Sequence, residues 1–244
     1  MTTKVALITG SARRIGAEIA RELHQAGLNI IIHYHQSERD AVDLGETLEI
    51  IRPGSAKLVQ FNLLETARIP EFVEQVQQCY AGRLDILVNN ASVFYPTITA
   101  NVDQWDELMG INLKAPFFLA QAFASTLAKY HGNIVNICDV NAFKAKLHYE
   151  VYCVAKAGLV ALTKQQANRL APLVRVNAVA PGLTVPPEGA AAVDPGHYQA
   201  MIAQIPLQKT ATPDDIATAV RFLALEAGHV TGQILAVDGG GVFN

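Results

Sequence analysis

Short apolar runs rich in Val, Ile and Leu recur along the chain at Lys4–Thr9, Leu28–His33, Lys57–Phe61, Leu84–Asn89, Asn133–Cys138, Arg175–Ala180 and Gln233–Val237. Each is bounded by turn-forming residues, the pattern expected of buried strands. Amphipathic stretches separate them: Ile15–Ala26, Glu38–Ile51, Ile69–Tyr80, Val102–Tyr130, Val151–Leu170 and Pro213–Glu226. Gly27 is a stop for the first helix, Pro53-Gly54 a turn after the second, and Thr212-Pro213-Asp214 a start for the last. Strand and helix in regular alternation predict right-handed βαβ crossovers and a parallel sheet. The expected fold is α/β: a single doubly wound, Rossmann-like domain over residues 1–244, with a seven-stranded, mainly parallel sheet and helices on both faces. One long irregular stretch, residues 181–212, holds Pro181, Pro186, Pro187, Pro195 and Pro206. It is expected to form an ordered lid over a substrate.

Composition narrows the function. Of 244 residues, 50% are apolar and 17% charged, which suits a sheet covered on both faces. A formal charge of −3 offers no basic field for nucleic acid. The longest apolar stretches, such as Leu28–Ile32 and Ala115–Ala120, are too short to span a bilayer. A strand starting at Lys4 leaves no room for a signal peptide, so none is expected. Cys79, Cys138 and Cys153 share no metal-ligand spacing and read as reduced thiols of a cytoplasmic protein without a bound metal.

After the first strand the chain reads Thr9-Gly10-Ser11-Ala12-Arg13-Arg14-Ile15-Gly16 and enters a helix. Gly10 permits a tight turn, Gly16 lets the helix approach the strand, and the helix N-terminus offers N–H groups to a pyrophosphate. The run is not a full G-x-G-x-x-G, and a plain βα turn could carry it. Arg13 and Arg14 sharpen it, because two cations oppose the helix dipole unless an anion joins them. The second strand ends His33-Tyr34-His35-Gln36-Ser37, with no carboxylate before Glu38 to hold a free ribose 2′-hydroxyl. A 2′-phosphate would meet His35, Ser37 and Arg14 without repulsion. NADPH is the expected cofactor.

Tyr152 and Lys156, four residues apart, share one face of a helix that follows the fifth strand. A phenol normally titrates near pH ~10, and a neighbouring ammonium is expected to lower that value into a usable range. The strand C-termini of such a sheet converge on a ligand, so the pair lies where chemistry is expected.

On these residues the chain resembles the short-chain dehydrogenase/reductase family over essentially its whole length. The carrying features are Thr9-Gly10 with Gly16, Asn89-Asn90-Ala91, Asn112, Tyr152 with Lys156, and Pro181-Gly182. The resemblance implies that Tyr152 is the acid, that Lys156 holds the nicotinamide ribose and that Asn112 supports a proton-relay water. It also implies cofactor contacts from Ile15, His33, Tyr34, Asn62 and Leu63, from Asn90, Ala91 and Ser92, and from Pro181, Gly182 and Thr184. Four departures from the broad family resemble its pteridine reductase branch. Arg14 stands where most members carry glycine, His33–Ser37 is similar to the branch, Asn89-Asn90-Ala91-Ser92-Val93-Phe94-Tyr95-Pro96 looks like its substrate-side loop with serine in place of the common glycine, and Asp139 replaces the usual serine. Two positions differ from that branch: Gln36 stands where some members have arginine, and Asn62 replaces an aspartate beside the adenine.

The resemblance then implies reduction of a C=N bond in a pterin, dihydropterin or dihydrofolate. Asp139 and Tyr152 would handle the proton as a coupled pair. Phe94 would stack on the flat ring, with Ser92 and Arg14 adding polar contacts. Biopterin, dihydrofolate, dihydromonapterin and quinonoid dihydropterin are all compatible. A 3-oxoacyl thioester reductase fits less well because of Asp139, and a non-catalytic NADPH-sensing module less well because Tyr152, Lys156 and Asn112 are all present. A homotetramer built through the Val102–Tyr130 and Val151–Leu170 helices is also implied, with no nucleic acid or membrane partner.

Overall fold

A computed structural model describes residues 3–186 and 194–241. Its sheet is wholly parallel, in the order β3-β2-β1-β4-β5-β6-β7. The strands are β1 Val5–Ile8, β2 Asn29–Tyr34, β3 Ala56–Gln60, β4 Ile86–Asn89, β5 Asn133–Ile137, β6 Arg175–Pro181 and β7 Ile234–Val237. The helices are α1 Arg14–Gln25, α2 Glu38–Ile51, α3 Ile69–Gln78, α4 Val102–Met109, α5 Ala115–Lys129, α6 Glu150–Leu170, α7 Pro195–Ala203 and α8 Pro213–Arg221.

Period-two alternation along β1 divides the core between the faces. Ala6 and Ile8 join Ile19 and Leu23 of α1 and Ile216 and Val220 of α8 on one side. Val5 and Leu7 join Phe72 of α3 and Leu119, Phe123 and Leu127 of α5 on the other. Both faces are covered, so the strands read as continuous apolar runs.

The chain winds from β1 outward to β3 and then crosses back to β4, so the order reverses between β1 and β4. That crevice, at the strand C-termini, is where open α/β sheets bind ligands. Two expectations need revision. The Val102–Tyr130 helix is interrupted by a π-helical turn, Gly110–Lys114, between α4 and α5. Inside the irregular 181–212 stretch lies a true helix, α7, started by Asp194, whose carboxylate accepts from the His197 N–H at 3.0 Å, and by Pro195 in its first turn. Proline is disruptive inside a helix yet fits its first turn, which is why a proline count misread this segment. Pro187 lies outside the described residues.

Candidate active site

The β1–α1 turn is built around Gly10, whose φ of +61° falls in the left-handed region. Its N–H donates to His33 Nδ1 at 3.0 Å, and His33 Nε2 lies 3.1 Å from the Phe61 carbonyl. Nδ1 must therefore accept and Nε2 carry the proton. Burial holds this imidazole neutral, with its pKa lowered to about 4. His33 is thus a strut beneath the turn rather than a surface for the cofactor. Thr9 Oγ1 accepts from the Asn90 and Ala91 N–H groups at 2.9 and 3.0 Å, tying the end of β1 to that of β4. Asn90 Nδ2 donates to the carbonyls of Thr9 and Gly10 at 2.8 and 3.0 Å. A Cβ on Gly16 would lie 2.5 Å from that Nδ2, so α1 approaches only because residue 16 has no side chain.

The first turn of α1 has neither a side-chain cap nor an acidic residue. Its orphan N–H groups are what an anion would satisfy. Arg14 is exposed, and its guanidinium donates to the Pro186 carbonyl at 3.0 Å, across the mouth of the site. Arg13 turns away to pair with Asp40 of α2 at 3.7 Å, while Ile15 packs on the core. At the end of β2 Tyr34 is buried and His35 exposed, and Ser37 leads into α2 without capping it. Asn62 spends its side chain locally, accepting from the Leu64 N–H at 3.1 Å and donating to Glu65 at 3.2 Å, and Leu63 is core. The side chains of Arg13, Ile15, His33 and Leu63 thus make contacts within the protein at positions where cofactor contact is expected.

Three side chains converge beyond β5. Tyr152 Oη donates to Asp139 Oδ2 at 2.6 Å. Asp139 Oδ1 accepts from both the backbone N–H and the side-chain amide of Asn141, each at 2.7 Å. Lys156, buried, donates to the Ile137 carbonyl at 2.9 Å, and its Nζ stands 5.7 Å from the Tyr152 ring centroid. The expected lowering of the phenol pKa by lysine is reversed. Desolvation, then the Asp139 carboxylate, holds the Tyr152 pKa well above the ordinary phenol value, and desolvation lowers that of Lys156.

Asn112, buried in the π-helical turn, accepts from Ser92 Oγ at 2.7 Å and donates to the Val93 carbonyl at 2.9 Å. The asparagine therefore fixes the loop that carries Ser92 and Phe94. Phe94 stacks on Tyr149 with ring centroids 4.7 Å apart, and meets Tyr152 edge-on at 4.8 Å. On the far wall Gly182 lies so close to Asp238 that no Cβ would fit. Pro181 ends β6, and Thr184 is buried with its carbonyl accepting from Tyr198 Oη at 3.0 Å.

Two neighbours of this site were missed from sequence. Tyr149 stands three residues before Tyr152, at helical spacing, and could have been found by that signal. Asn141, two residues after Asp139, fits the common Asp-centred local turn. Among the described residues no cluster of three His, Cys, Asp or Glu side chains could hold a metal ion, and no helix is long and apolar enough to cross a membrane.

Residues 10–241 match the enoyl-(acyl carrier protein) reductase family. Pteridine reductase 1 of Leishmania tarentolae is 36% identical, covering 98% of this chain and 96% of its own. The 3-oxoacyl-(acyl-carrier-protein) reductase of Aquifex aeolicus is also 36% identical, over 97% of this chain and 96% of its own. Acetoacetyl-CoA reductase of an Acinetobacter species is 36% identical over 97% of each chain. Equal identities leave the choice of substrate to the residues of the site.

Proposed function

Because the chain belongs to the short-chain dehydrogenase/reductase family, we propose that it is an NADPH-dependent pteridine reductase acting on the C=N bond of a pterin, dihydropterin or dihydrofolate. The observation that carries this reading is the 2.6 Å hydrogen bond between Tyr152 and Asp139, a carboxylate where a ketone reductase of the family uses serine. A ketone needs polarisation at oxygen. A ring imine needs a proton delivered to nitrogen, and a coupled phenol–carboxyl pair can hold and pass one.

The residues suit the cofactor. The uncapped α1 N-terminus fits a pyrophosphate, and the absence of a carboxylate between Tyr34 and Glu38 fits a 2′-phosphate beside His35, Ser37 and Arg14. Lys156 spends one N–H on Ile137 and keeps others for ribose hydroxyls. When bound, NADPH supplies the hydride. Phe94 and Tyr149 offer an aromatic stack that a flat bicyclic ring would extend, with Ser92 and Arg14 at its polar edges. Tyr152, kept protonated by burial and by Asp139, releases its proton only toward a ring nitrogen that gains basicity as the adjacent carbon is reduced. The C=N bond becomes CH–NH, and a solvent proton restores the pair. Trp105, Phe117, Phe118 and Val154 leave apolar surface exposed on α4, α5 and α6, and a homotetramer would cover it.

Reduction of a 3-oxoacyl thioester is the second reading, favoured by the relatives of equal identity. Asp139→Ser separates the two. We expect it to lower kcat for a dihydropterin by about 100-fold or more while leaving NADPH affinity intact. Steady-state turnover beside a fluorescence titration of NADPH measures both. A serine variant that keeps most of its pterin activity would overturn the role given to the carboxyl.

A further inference from the structure

We propose that Asn141 is a positioning residue for the Asp139–Tyr152 pair, its side-chain amide anchoring the carboxyl so that the other oxygen is committed to the phenol. The inference rests on the reading that this pair delivers the proton. Asp139 leaves β5 in extended conformation and caps a single turn of 3-10 helix, Val140–Ala142. Its two oxygens have separate duties. Oδ1 takes two donors from Asn141, the backbone N–H and Nδ2, both at 2.7 Å. Oδ2 takes the Tyr152 hydroxyl at 2.6 Å.

A terminal carboxyl torsion is soft and roughly two-fold, so one hydrogen bond would not choose which oxygen faces the tyrosine. Two donors fixed to Oδ1 do choose. The backbone donor persists whatever residue stands at 141, so the side-chain amide is the separable part. Among the described residues the charged and titratable groups around Asp139 are few. Tyr152 and Lys156 face it from α6, and the thiols of Cys138, just after β5, and Cys153 on α6 are nearby. Burial pushes both thiols up, Cys138 to about 12, so near neutrality they are uncharged. Lys156 is the cation that faces Asp139, and Asn141 supplies the donors to Oδ1 among the described residues.

Removing the amide should free the carboxyl to turn, so that the oxygen facing the phenol is no longer fixed. In Asn141→Ala we expect kcat for a dihydropterin to fall about tenfold, the effect of one charge-assisted hydrogen bond, with KM and NADPH affinity close to wild type. Asn141→Ser, whose hydroxyl can donate to the same oxygen, should recover part of that loss. The experiment measures kcat and KM with NADPH and a dihydropterin for wild type and both variants, with NADPH titration and thermal unfolding to establish that each is folded and loaded. A purely structural role would lower stability and cofactor affinity together and give no recovery with serine. Folded variants whose kcat equals that of wild type overturn the inference and leave the proposed reaction standing. A wild-type enzyme that reduces no pterin at any pH removes the reading beneath it.

Discussion

Tyr152 illustrates how position reverses an argument made from spacing. Four residues from Lys156 on one helical face, it was expected to lose its proton more easily. Instead Lys156 gives one N–H to the Ile137 carbonyl, and Asp139 receives the phenol. A carboxylate fixed by a residue two positions on leaves no trace in helical periodicity, whereas Asp139 itself stood out against its family. His33 is a second case. The string His33-Tyr34-His35 suggested a ligand surface, but His33 lies within β2, covered on both faces, whereas His35 follows the strand's last residue and is exposed. Its buried, neutral imidazole has a folded pKa of about 4 against 6.5 in the unfolded chain. Below pH 6.5 the unfolded state binds the extra proton, so this contribution is complete above 6.5 and is lost as pH falls toward 4. The total is about 3 kcal/mol. Urea unfolding at pH 7 and pH 5 should show this loss in wild type and a shallower dependence in His33→Gln. Equal pH dependence in the two proteins would refute the buried-histidine account.

At the scale of elements, periodicity read well wherever packing was the sole constraint. Alternation along β1 and the amphipathic faces of α1, α3 and α8 match the observed core, because burial dictates both. It failed where function or capping intervened. The π-helical turn at Gly110–Lys114 inserts Asn112 against Ser92 and Val93, and one extra residue in a helix leaves little mark on a hydrophobic pattern. The βα turn offers a direct test. Its glycines were legible, and the structure adds why Gly16 tolerates no side chain: the Asn90 amide that would be struck already serves two carbonyls. Gly16→Ala should cost roughly 1–3 kcal/mol of stability through overpacking and weaken NADPH binding about tenfold or more. Chemical denaturation and cofactor titration measure the two effects. An alanine variant with both values unchanged would mean that the turn yields more easily than its hydrogen bonds allow.

For the molecule as a whole, the order of strands does the positioning. Reversal between β1 and β4 opens the crevice, and β1, β4 and β5 deliver Gly10, Asn90 and Asp139 to its rim. Alternating strands and helices made that architecture readable, since parallel βαβ units admit few arrangements. Specificity was less readable, because it depends on a handful of residues in a scaffold shared by relatives of equal identity and different activity. The central claim is that these residues make a pterin site. Steady-state turnover of the wild-type enzyme decides it, with NADPH and NADH tested in turn against dihydrobiopterin, dihydrofolate and an acetoacetyl thioester. The account predicts NADPH-dependent reduction of the dihydropterin or dihydrofolate, slower rates with NADH and little reduction of the thioester. Rapid reduction of the thioester, with both pteridine rings untouched, would contradict it.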